Sequence, residues 1–244
     1  MFETVDDKLN RLEAHQATIL PLQIFDLSPA KLRSMANPDR LSGPTMEVTI
    51  TDGTMTSTWS IPKALLSHYS EFFRVACNGP FKEAHTNKIT LPDCMPGVLQ
   101  VFIQWMYFNN MPFAQECKDG VWNVFRVWAL ADRLVSKEFK NCVMRDIYDV
   151  HVVKGGSGDK FSAQEIEWIA ENAGRACRLR TWFIDTLALH SMCAAYMQEV
   201  KNEVFGKLQP YPDLLKEVFL KMAGIGVEGQ GSPEVKPVED YLEA

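Results

Sequence analysis

No stretch of this 244-residue chain runs in apolar residues for the roughly 20 positions that a membrane-spanning helix needs. The opening, MFETVDDKLNRLE, lacks the basic-then-apolar order of a secretory signal, so a soluble protein of the cytoplasm or nucleus is expected. Histidine is scarce, five residues in all, and none belongs to a His-Glu-x-x-His pair; no Gly-x-Ser-x-Gly elbow occurs either. Gly155-Gly156-Ser157-Gly158-Asp159 is glycine-rich, but no Lys-Ser/Thr follows it and no strand leads into it, so it reads as a linker and not a phosphate cradle. Basic charge is also thin. Lys and Arg number 25 against 31 Asp and Glu, for a net charge of -6, of which -4 falls in the last 21 residues. Without a basic stripe to displace counterions from a phosphate backbone, the chain is not expected to bind nucleic acid directly.

The six cysteines, at 77, 94, 117, 142, 177 and 193, are scattered through apolar helical runs, where a thiol behaves as a small hydrophobe, and are expected to be reduced. His190 and Cys193 lie three apart on one helical face, but no second ligand pair stands at a zinc spacing, and both read as core residues. His68 and His85 read as surface or hydrogen-bonded residues. No nucleophile, base and orienter can be assembled, so neither catalytic, cofactor-binding nor metal residues are assigned. An uncharacterised enzyme remains as the alternative of another class.

Apolar residues make up 46% of the chain, ample for a packed core. Val5, Leu9, Leu12, Gln16 and Ile19 recur at alternating spacings of four and three, giving one narrow apolar stripe on a helical arm too short to stand alone in water. Met46, Val48 and Ile50, then Met55, Ser57, Trp59 and Ile61, alternate around Asp52-Gly53 and predict a hairpin with a two-residue type I′ turn. Leu65, Leu66, Tyr69, Phe72, Phe73 and Cys77 follow at helical spacing until Asn78-Gly79-Pro80 interrupts them. Ile89-Thr90-Leu91 reads as a third strand. Val98, Leu99, Phe102, Trp105 and Met106 form one helix face, and Tyr107 and Phe108, at its end, suggest an exposed apolar patch.

Further helices are predicted around Val121 to Ala131, and from a cap at Ser136 through Phe139, Val143 and Ile147. A capping box, Ser162-x-x-Glu165, opens another that Gly174 stops. The helix through Phe183 and Leu187 is apolar nearly all round and therefore expected to be buried. The last helix turns Leu214, Leu215, Val218, Phe219 and Met222 inward, and the acidic segment from Gly224 is expected to be disordered.

Trp59-x-Ile61, Leu66-x-x-x-Ser70-x-x-Phe73, Phe81-x-Glu83 and Leu91-Pro92-Asp93, in that order, resemble the strand, helix pair, turn and strand end of the BTB/POZ domain family. The resemblance runs, less sharply, through Val98–Tyr107 and Ala129–Leu134. The segment IEWIAENAGRACRLRTWFIDTLA is similar to helical extensions that follow such domains in fungal proteins. The resemblance implies an α+β fold, mainly helical with a small sheet. It divides the chain into an arm and loop at 1–43, a BTB/POZ-like domain at 44–150, a helical extension at 151–223 and the tail at 224–244.

It also implies a function in protein–protein interaction: a scaffold that self-associates as a homodimer, without catalysis or cofactor. The alternative is a substrate adaptor for a cullin-type ubiquitin ligase. Adaptors of the family carry an apolar-x-Glu triplet after the Phe helix; the matching triplet here is Ala76-Cys77-Asn78, with Asn in place of Glu, which disfavours cullin binding. The candidate interaction residues are therefore Val5, Leu9, Leu12, Ile19, Ala76, Cys77, Asn78, Tyr107 and Phe108.

Overall fold

The computed structural model describes residues 40–51, 56–109, 124–154, 161, 163–192, 206–227 and 235–243. Strand β1 (Thr45–Thr51) is the centre of a three-stranded sheet of order β2-β1-β3. Strand β2 (Thr56–Pro62) pairs with it antiparallel, and β3 (Lys88–Pro92) pairs parallel on the other side. The alternation read from the sequence is the burial pattern of the central strand: Met46, Val48 and Ile50 are fully buried, with Glu47 and Thr49 on the opposite face. Thr51 pairs with Thr56, so four residues connect the strands where a two-residue turn was expected. The shift of two positions keeps every side chain on its predicted face, which is why alternation alone could not detect it.

Three short helices carry the chain from β2 to β3. They are α1 (Lys63–Tyr69), α2 (Glu71–Asn78) and α3 (Lys82–Thr86). Helix α4 (Pro96–Phe108) follows β3, with Pro96 in its first turn, where a missing N–H costs nothing. Helices α5 (Val124–Arg133) and α6 (Lys137–Tyr148) form the next pair, and α6 continues into a π turn at Asp149–Lys154. The aromatic rings of Phe73, Phe102, Trp105 and Phe139 come from α2, α4 and α6, with Phe102–Phe139 and Trp105–Phe139 centroids 5.0 and 4.9 Å apart. They fix the helices against one another through large buried surfaces.

Ser70 and Ser136 join the two helical corners. Ser70, the N-cap of α2, accepts from the Phe73 N–H (3.1 Å) and donates to the Leu134 carbonyl (2.6 Å). Ser136 was expected to cap α6, but its hydroxyl makes no cap bond and donates instead to the Tyr69 carbonyl at 2.5 Å. Each serine thus satisfies a carbonyl of the opposite corner, in a place where an unpaired group would be costly.

Beyond residue 160 come α7 (Ala163–Asn172), α8 (Arg178–Met192) and α9 (Pro212–Val227). Phe125 of α5 stacks on Trp168 of α7 at 5.9 Å, and one continuous buried cluster includes both the residues before 150 and those after 160. As expected, α8 is buried on several sides, with Leu179, Trp182, Phe183, Thr186 and Leu187 at 0% exposure. Buried Arg180 forks onto Glu217 of α9 (2.9 and 3.2 Å) and donates to the Ala173 carbonyl after α7 (3.1 Å), tying the three helices together. On α9, Leu214 and Val218 are buried, but Phe219, expected to face inward, is 51% exposed. A helix packed on one side covers a narrower stripe than its apolar residues suggest.

The acidic tail requires the larger correction. Residues 235–243 form an ordered segment with a 3-10 turn at Val238–Tyr241, and Tyr241 is 2% exposed. Composition favoured disorder; a single buried aromatic with a hydrogen-bonded hydroxyl offsets it.

Candidate interaction surface

Helix α2 divides cleanly between its faces. Phe73, Ala76 and Cys77 are buried, whereas Glu71, Arg74, Val75 and Asn78 form the outer face. Two of the expected interaction residues, Ala76 and Cys77, therefore point into the core and offer a partner no side chain. The triplet was read as a linear motif, but positions two and three on a helix lie on different faces. Asn78 is exposed, and its amide donates to the Ser67 hydroxyl (3.2 Å) and the Arg74 carbonyl (3.0 Å).

Tyr107 and Phe108 close α4, as expected, and the helix ends at Asn109 in the left-handed conformation that Asn tolerates. They do not form an open patch. Both are half-buried, their rings 6.1 Å apart, and burial pushes the Tyr107 hydroxyl above its ordinary range. Val5, Leu9, Leu12 and Ile19 lie outside the described residues, as does Cys193.

Among the described residues, exposed apolar side chains occur on α9, at Phe219 and Leu220, and at the corner between α2 and α3. Phe81 is 51% exposed and Val75 38%. A Cβ on Gly79 would sit 2.5 Å from the Val75 backbone carbonyl and 3.0 Å from the Phe81 ring, so the close approach of the chain at this corner requires glycine. The sequence offered one signal for this: Phe81 directly follows the helix-breaking Gly79-Pro80, where no helical face exists to bury it.

A cleft of about 250 Å³ opens between the β3–α4 loop, α5 and α7. It is lined by Asp93, Met95, Arg126, Arg133, Trp168 and neighbouring residues. Its nucleophile is Cys94, whose thiol burial pushes up to about 11; no histidine lines the cleft to activate it. Among the described residues no group of three or more His, Cys, Asp or Glu could hold a metal ion, and Cys77, Cys94, Cys142 and Cys177 are free thiols. His68 and His85 are exposed, and burial is the main cause that lowers the His68 pKa. No described helix is long and apolar enough to cross a membrane.

The family model of the BTB/POZ domain matches residues 37–143. Domains of this family are non-catalytic interaction modules that often dimerise. Solved structures similar to the chain include the BTB domain of human gigaxonin, at 16% identity over 41% of this chain and 75% of that one, with a TM-score of 0.33. The BTB domain of zebrafish PATZ1 is similar at 15% identity over 53% of this chain and 98% of that one, with a TM-score of 0.34. No curated protein matches the chain.

Proposed function

We propose that the chain is a self-associating scaffold whose BTB/POZ domain holds a second copy through the α2–α3 corner, with the stripe Val5, Leu9, Leu12 and Ile19 as a further contact. The observation that carries this reading is the exposure of Val75 and Phe81, which stand on either side of the Gly79-Pro80 break. Removing such side chains from water contributes about 1.5 to 3 kcal/mol each before ordering costs, enough to anchor an interface but not to make one alone. Light scattering at about 50 µM, a concentration that populates even micromolar dimers, tests it. The expected mass is twice 27.7 kDa, and Val75→Asp with Phe81→Asp should return it to the single-chain value. A parent protein that already runs at 27.7 kDa sinks the scaffold reading. The adaptor alternative is tested in parallel by titration with a purified cullin N-terminal domain. Asn78 offers an amide, already bonded within its own helix, where a carboxylate is expected, so binding should be weak or absent. Tight binding would put the adaptor reading first.

A further inference from the structure

The C-terminal segment docks in a groove built by three helices that are far apart in the sequence. Tyr241 is buried 6.5 Å from the Tyr148 ring of α6, and its hydroxyl donates to Asp185 Oδ2 of α8 at 2.9 Å. The same hydroxyl accepts from the Lys236 N–H at 3.2 Å. Asp185 is 7% exposed, and its other oxygen holds Lys221 Nζ of α9 at 2.8 Å. Two residues past the tyrosine, Asn141 of α6 grips the backbone of Glu243 from both sides: the Glu243 N–H donates to Asn141 Oδ1 (2.8 Å), and Asn141 Nδ2 donates to the Glu243 carbonyl (3.2 Å). Lys140 Nζ meets the Glu243 carboxylate at 2.7 Å, and Arg178 donates to the Asp240 carbonyl at 3.3 Å.

These contacts form a reading head for a peptide. A side-chain amide bonded to both the N–H and the C=O of one residue recognises extended main chain, and Leu242 just before it is extended (φ -83°, ψ 153°). Lys140 adds selectivity for an acid at that position, and the Asp185–Lys221 pair adds selectivity for a tyrosine hydroxyl two residues earlier. Of the basic residues at the groove, Lys140 meets the Glu243 carboxylate, Arg178 the Asp240 carbonyl, and Lys221 the groove's own Asp185.

We propose that this groove is a binding site for a tyrosine-x-glutamate segment of a partner protein, and that residues 235–243 are its resident occupant, displaced when the partner binds. The tether keeps the resident segment at a millimolar effective concentration, so a partner must bind well below that to replace it. The groove accepts the hydroxyl only unmodified, since a phosphate on the tyrosine would face the Asp185 carboxylate.

The test uses the full chain and a fluorescein-labelled peptide of residues 233–244. Tyr241→Ala removes the buried ring and its bond to Asp185 and so weakens the resident segment's hold, and fluorescence anisotropy should show the peptide binding this chain at least about tenfold more tightly than it binds the parent chain, where the intact segment competes. A Tyr→Phe peptide should bind about tenfold more weakly than the parent peptide, through loss of the bond to Asp185, and the phosphotyrosine peptide should not bind. If Tyr241→Ala does not fold, the parent chain answers the question. Excess unlabelled peptide should then speed hydrogen exchange at the Leu242 and Glu243 amides. Equal binding to both chains, equal binding of the phosphorylated peptide, or no binding with unchanged exchange overturns the proposal.

Discussion

At the scale of single residues, Val135 stands out. It joins α5 to α6 with φ +49°, a left-handed conformation in which its branched side chain is strained, and that side chain is 60% exposed. Val135→Gly removes the strain without emptying the core, and should stabilise the protein by about 1 kcal/mol in urea titration. A lower midpoint would mean that Val135 holds something its exposure does not reveal. Cys94 gives a second expectation. Its thiol is raised from 9.0 to about 11, chiefly by burial, so the folded protein keeps it protonated over a range in which the unfolded chain ionises. A thiol raised in the folded state contributes stability that is present below pH 9 and is lost as pH rises towards 11. At pH 8, peptide mapping after iodoacetamide should find Cys94 unmodified in the native protein and alkylated in urea. These properties were partly legible: a Cys next to an apolar helix reads as buried, but nothing in the sequence shows that the residue before Ser136 turns left-handed.

Among the elements, the bundle of α7, α8 and α9 contains one ion pair whose cation is buried, Arg180–Glu217, beside the pair Asp185–Lys221. Arg180 has a side chain 6% exposed while that of its partner Glu217 is 30% exposed, so loss of one is not equivalent to loss of the other. Glu217→Ala leaves a guanidinium buried without its carboxylate and should cost about 3 kcal/mol in denaturant unfolding. Arg180→Met with Glu217→Leu removes both charges and should recover most of that loss; a double variant as weak as the single one would show that shape, not charge, holds the helices. The helices themselves were readable from their apolar spacing: Phe139, Val143 and Ile147 on α6, and Ile166 and Ile169 on α7, are all buried. What spacing could not supply was the use of polar groups across elements. The Ser136 hydroxyl has a cap position's sequence signature and a different partner, because the Tyr69 carbonyl is brought beside it by tertiary packing.

For the whole molecule, the α+β class and the order of the elements followed from ordered motifs spread over residues 59 to 93, since each motif needs its neighbours to bury a face. The candidate site was less legible. Ala76 and Cys77 were read along the line of the chain, and the docked segment was read from its charge; its partners, Asn141 and Asp185, are 102 and 56 positions away from the residues they hold. Contacts at such separation leave no periodic trace. The sheet has a consequence of its own for how the protein reaches this state. Its central strand pairs at once with β2 across a short loop, but its other edge waits for β3, and Val48 meets Ile89 only after three helices have been threaded between them. Closing that gap is a search over a long intervening segment, which slows folding, and until it ends the free edge of TMEVTIT is open to strands of other molecules. Yield on refolding is therefore governed by dilution and by time, a kinetic competition that the stability of the finished domain does not influence.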